Sequence, residues 1–130
     1  MKKILLTLSL LLVTNSVYAE WMHVGDTSDA SYYVDIKTKK EFSNYTNMWT
    51  LVDWFELPQD TDDFYYSSAN HQKFDCLNKS MQTQSSITYT LHKGKGEPLR
   101  TSRLKGNINY PPPNSIGERM LAIACNQGIK

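Results

Sequence analysis

Cys76 and Cys125 are the only thiols in this 130-residue chain, and their surroundings decide what chemistry they can do. No Cys-x-x-Cys and no local Cys-His pattern accompanies them, so thiol catalysis and redox exchange find no support. In an oxidising compartment such an even pair becomes a disulfide. The histidines, His23, His71 and His92, lie far apart without metal-ligand spacing. Only His71 and His92 could approach each other, across neighbouring strands. Serines are frequent, but none sits in a Gly-x-Ser-x-Gly elbow. These residues predict no enzyme, no metal and no cofactor.

Charge offers two further candidates. Lys93, Lys95, Arg100, Arg103 and Lys105 set five cations against one acid, Glu97, around a turn signal and an edge-like strand. That segment is a candidate ligand-binding site for an anionic surface or glycan. Asp53, Glu56, Asp60, Asp62 and Asp63 are its acidic counterpart, and the two patches could meet between the subunits of a homodimer. Both patches also read as solvated charge that keeps an edge from aggregating. Tyr33, Tyr65, Tyr66 and Trp49 could build an aromatic platform for a sugar or peptide, or pack across strands.

The elements that must position these groups begin after an export signal. Lys2 and Lys3, the apolar run Ile4 to Val13 and the small-residue end Ser16-Val17-Tyr18-Ala19 have the order of a cleavable signal peptide over residues 1–19. The apolar run is about half of the roughly 20 residues that cross a bilayer, so no stable membrane anchor is expected. Residues 20–130 then form one domain, periplasmic or secreted. Removing Lys2 and Lys3 takes the formal charge from +1 to −1, which gives no global field for nucleic acid or membrane.

Turn signals every ten or so residues predict an antiparallel meander with a C-terminal helix, an α+β fold. Strands are predicted at Trp21 to Val24, Ser31 to Thr38, Thr46 to Glu56, Tyr65 to Cys76, Gln82 to His92 and Glu97 to Leu104. In the second, Tyr32, Val34 and Ile36 alternate with Tyr33, Asp35 and Lys37, one face going to the core and the other to water. The third carries large apolar groups on both faces and is placed centrally. Leu57 to Asp63 is predicted as an exposed loop, and Gly94-Lys95-Gly96 as a hairpin signal. Pro111-Pro112-Pro113 is a stiff connector. Ser115 and Glu118 then form a capping box for a helix from Ile116 to about Asn126. Its apolar arc, Ile116, Met120, Ile123 and Ala124 with Leu121 and Cys125, should lie on the sheet. A bond from the last turn of that helix to the end of a middle strand would pin the two layers together.

In order and spacing these features resemble the surface-adhesin E-like family. The resemblance rests on Trp21, on Tyr-Tyr-Val-Asp at Tyr32 to Asp35 and on Met-Trp-Thr-Leu-Val-Asp at Met48 to Asp53. It continues through Tyr-Tyr-Ser-Ser leading to Phe74-Asp75-Cys76, Gly94-Lys95-Gly96, and Pro112 to Ser115 before the helix that ends in Cys125. It implies a six-stranded antiparallel sheet with the helix packed on it, a helix-to-sheet disulfide at Cys76 and Cys125, and a non-enzymatic role. The adhesin after which the family is named is an outer-membrane lipoprotein that binds host extracellular-matrix proteins and can dimerise. Two departures stand out here: no cysteine is available for lipid attachment after Ala19, and Tyr65 to Asp75 holds only Lys73 and His71 as cations where the adhesin is rich in arginine. The implied function is an exported binding protein contacting host matrix or bacterial envelope proteins. The alternative is a periplasmic module for a small ligand or envelope partner, with no adhesive role.

Overall fold

The computed structural model describes residues 19–57 and 64–126. Six strands follow one another in chain order: β1 (Met22–Asp26), β2 (Ala30–Glu41), β3 (Tyr45–Trp54), β4 (Ser67–Asp75), β5 (Ser80–Tyr89) and β6 (Pro98–Ser102). They form one antiparallel sheet in the order β1-β2-β3-β4-β5-β6, with a 3-10 turn (His92–Gly94) between β5 and β6 and a single helix, α1 (Ile116–Ala124), after them. β3 is interior, between β2 and β4, as its two apolar faces require. The signal-peptide residues 1–18, and Asp60, Asp62 and Asp63 of the predicted loop, lie outside the described residues.

Cross-strand register separates the two faces, because directly opposed residues point the same way. Val34, Met48 and Phe74 on one face meet Met120, Leu121 and Ala124 of α1 in the core, and all six are 5% exposed or less. Val24, Tyr32, Met81, Ile116, Ile123 and Cys125 pack around them. The helix covers this face as its apolar arc predicts. Gly25, just past the predicted first strand, lies in β1 at an irregularity in the pairing. An added Cβ there would come within 3.0 Å of the Arg119 guanidinium and 3.5 Å of Ile116, so the missing side chain lets α1 approach the edge strand.

The predicted alternation of β2 holds through Asp35, opposite Trp49, and fails beyond it. Asp35 is only 4% exposed, whereas Ile36, grouped by alternation with the buried Val34, is 46% exposed. The cause is a bulge between Asp35 and Lys40, which shifts the side-chain sequence off its two-residue period. Within it Asp35 accepts a hydrogen bond from the Lys37 N–H at 3.1 Å, and the Thr38 hydroxyl donates to the Asp35 carbonyl at 2.6 Å.

The chain after β6 continues in the same direction along β5. Gly106 N–H donates to the Thr83 carbonyl, and Met81 and Asn109 exchange two backbone bonds at 2.9 Å each. The start of β5, at Met81 and Thr83, is therefore flanked by chain that sequence pattern alone does not mark as strand. The capping box is present with one change. Ser115 accepts from the Glu118 N–H at 3.1 Å, but the Glu118 carboxylate reaches the Asn114 N–H at 2.6 Å and not the Ser115 N–H. The Ser115 N–H is already bonded to the Pro112 carbonyl.

The helix ends at Ala124, two residues before the predicted limit, and Asn126 follows with φ 54°. Lys39 of β2 donates to the Ile123 carbonyl at 2.9 Å, placing a cation where the helix dipole is negative. Cys76, just past β4, and Cys125, capping α1, are joined, with Cα atoms 5.7 Å apart. The bond is the predicted staple between helix and sheet.

Candidate functional site

The face turned away from α1 carries Tyr33 and Trp49 with their histidine neighbours. Three cross-strand rows can be read along it. One runs through His23, Tyr33, Leu51, Ala69, Ile87 and Thr101; a second through Asp35, Trp49, His71 and Ser85; a third through Ser31, Asp53, Ser67 and Tyr89. Leu51 is fully buried and Ala69 is 4% exposed, so the centre is apolar and closely packed. Tyr33 and Trp49 are half-buried in adjacent rows, each beside a histidine. His23 meets the Tyr33 ring edge-on at 5.3 Å, and His71 lies 5.1 Å from Trp49. Burial lowers the pKa of His71, with a smaller push from the nearby Lys40 cation, because both disfavour a charged ring.

One end of this face is closed by the 3-10 turn, and a register pair holds it there. Asp53 accepts from the Lys93 N–H at 3.2 Å and pairs with His92 Nδ1 at 2.7 Å. Its cross-strand neighbour Ser67, fully buried, accepts from the Gly94 N–H at 2.8 Å and donates to the Leu91 carbonyl at 2.7 Å. The turn needs holding, since Lys93 has φ 56°, a conformation that costs a non-glycine residue about 1–2 kcal/mol. Gly94, at φ 68°, then lies over Leu51 and Trp21.

The predicted site residues separate in this geometry. Lys93 reaches over the Tyr33 ring, 5.6 Å from its centroid, and Lys95 is exposed just beyond Gly94. Arg100 opposes Thr88 in the row of Tyr32, on the helix-bearing face. Arg103 and Lys105 are exposed after β6. The five cations follow one edge of the sheet but divide between its faces. The acidic patch is reduced: Asp53 is 9% exposed and committed to its own turn, while Glu56 is exposed. Sequence reasoning placed Asp53 with solvated acids because its partner turn folds back from 39 residues away.

Of the aromatic candidates, Tyr33 and Trp49 share the open face, Tyr65 packs edge-on against Trp54 at 5.3 Å, and Tyr66 lies 4.5 Å from His92. His71 and His92 do not form a pair: one belongs to Trp49, the other to Asp53 and Tyr66. Among the described residues no group of three or more His, Cys, Asp or Glu side chains could hold a metal, and no helix is long and apolar enough to cross a membrane.

Sequence reasoning missed a cleft of about 330 Å3 between residues 20–22 and the bulge of β2, lined by Glu20, Trp21, Met22, Asp35, Ile36 and Lys37. Its only sequence signal was the acid closing the Tyr-Tyr-Val-Asp run.

Residues 21–126 match the family described as surface-adhesin protein E. Among solved structures, the chain is similar to crystal form II of Haemophilus influenzae protein E, with a TM-score of 0.62 at 13% identity over 79% of this chain and 91% of that one. A second structure of Haemophilus influenzae protein E gives 0.62 at 14% identity, covering 85% of this chain and 86% of that one. Protein E from non-typeable Haemophilus influenzae gives 0.55 at 13% identity, covering 86% and 76%. At such identities the likeness concerns the fold. A search of curated proteins finds no match.

Proposed function

The chain belongs to the surface-adhesin protein E family, and from that premise we propose that it is an exported, non-enzymatic binding protein of adhesin type. The observation that carries the reading is the asymmetry of the sheet. α1 covers one face, whereas the other presents Tyr33 and Trp49 flanked by His23 and His71, with Lys93 at its margin. Aromatic rings with polar neighbours at half burial supply contact area at small entropic cost, as binding surfaces require. The partner is a host extracellular-matrix or bacterial envelope protein. It docks on the open face, while Lys93, Lys95, Arg100, Arg103 and Lys105 steer its approach along the β5–β6 edge. Cleavage after Ala19 delivers the domain to the periplasm or beyond, and copies could associate as a homodimer.

Surface-binding measurements with the purified chain against immobilised matrix proteins and envelope extracts test this. Trp49→Ala should weaken capture by about tenfold or more, as central aromatic contacts do. Charge reversal at Lys93 and Lys95 should chiefly slow association and reduce its salt dependence. Binding to neither class of protein, or binding indifferent to Trp49→Ala, would refute the assignment.

A further inference from the structure

The cleft beside β2 contains a carboxylate that forms no ion pair among the described residues. Asp35 is 4% exposed, and the single hydrogen bond its carboxylate receives among the described residues is the Lys37 N–H, at 3.1 Å to Oδ1. No cationic side chain forms an ion pair with it among those residues. The nearest lysine in sequence, Lys37, is committed elsewhere: its ammonium meets Glu20 at 2.6 Å. A buried carboxylate without a counter-charge is costly, and proteins place one where a cation or hydrogen-bond donor will meet it.

The other walls define that cation. Trp21, Met22 and Ile36 are apolar, and the 46% exposed Ile36 stands at the lining. An indole is the best of the aromatic rings for a cation lying over its face. A bare metal ion would want several oxygens, and the described residues offer no such cluster. An inorganic anion would be repelled by Asp35. We propose that this cleft binds an alkylammonium group, with the ammonium at Asp35 and the alkyl stem against Trp21 and Ile36. This goes beyond adhesion, because a free amine fills the cleft without any protein partner, whereas a lysine side chain fills it as part of one.

The test is titration of the purified chain with n-butylammonium, followed at the Trp21 indole N–H and the Ile36 amide by NMR, with n-pentanol as the neutral counterpart. Saturable shifts with the ammonium and none of comparable affinity with the alcohol are expected. Asp35→Asn should weaken binding by about tenfold, the value of one charge-assisted hydrogen bond. Since Asp35 also supports the bulge, a second variant is needed: Lys37→Gln, at the exposed mouth, should tighten binding about two- to fivefold by removing a competing cation.

Nα-acetyl-lysine methylamide separates the sources. Binding as tight as butylammonium points to a protein lysine, and exclusion by its backbone amides points to a free amine. Equal binding of the alcohol, indifference to Asp35→Asn in a folded variant, or weaker binding in Lys37→Gln overturns the proposal. So does an internal occupant: if the chain beginning at Glu20 shows an α-amine titrating well above the ordinary value of about 8 and no response to butylammonium, the cleft is already filled.

Discussion

Replacing Asp53 and Ser67, singly and together, asks whether two adjacent strands hold one turn. Asp53→Ala removes the acceptor of the Lys93 N–H, a shielded, charge-assisted bond worth about 1.5–3 kcal/mol. The pair with His92 adds at most about 1 kcal/mol, because that ring is 53% exposed and the interaction is screened. Ser67→Ala leaves the Gly94 N–H and the Leu91 carbonyl without their partner, at about 1–3 kcal/mol. Once either substitution frees the turn, Lys93 relaxes from its left-handed conformation and the remaining clamp has less to hold. The double variant should therefore lose about 1 kcal/mol less than the sum of the singles. Urea unfolding followed by tryptophan fluorescence gives the global terms, and amide exchange at Lys93, Gly94 and Lys95 gives the local one. Exchange there should rise about 10- to 100-fold in each single variant, ahead of amides in the middle of β3 and β4. Additivity within about 0.5 kcal/mol, or unchanged exchange at Gly94, would show that the turn is held by something else.

Other perturbations have equally definite outcomes. Reducing Cys76–Cys125, which spans 49 residues, should cost about 4 kcal/mol by loop entropy, visible as a lower urea midpoint with reductant. Phe74→Ala should cost about 3–5 kcal/mol, since the ring is fully buried between sheet and helix. His71 titrates below its ordinary 6.5 in the folded chain, so its contribution is complete above that pH and is lost as pH falls from 6.5 toward the lowered value. His71→Gln should flatten the stability-versus-pH curve in that window. A Gly96→Ala chain should be less stable by about 1 kcal/mol or more: φ is +81°, and the new Cβ would collide with the Thr90 hydroxyl.

The sheet was legible because β strands declare themselves locally. Alternation in Ser31 to Val34 and in Thr46 to Trp54, with turn residues between, is set by the pleat and needs no knowledge of the rest of the chain. The helix was legible from Ser115, Glu118 and its apolar arc, and the disulfide from an even cysteine pair in a chain expected to be exported. The functional groups were harder to place, because each depends on a departure from local pattern. Asp35 keeps its register opposite Trp49, and its burial beside residues 20–22 comes from chain that the alternation of β2 does not contain. The long-range return of the 3-10 turn, which no short window contains, claims Asp53. The basic segment looked like one patch in sequence, yet alternation across β6 sends Arg100 to one face while the turn carries Lys93 to the other.

The strictly sequential order of the strands also bears on how such a chain is made. If the chain is exported as proposed, fed N-terminus first through a narrow channel, it can add each strand to the one just delivered, because no strand waits for a distant partner. The covalent bond behaves differently. Cys76 arrives long before Cys125, so the ring closes only after the last strand and the helix have come through. On such a route the disulfide forms only once delivery is complete, and a chain stalled midway presents Cys76 without its partner.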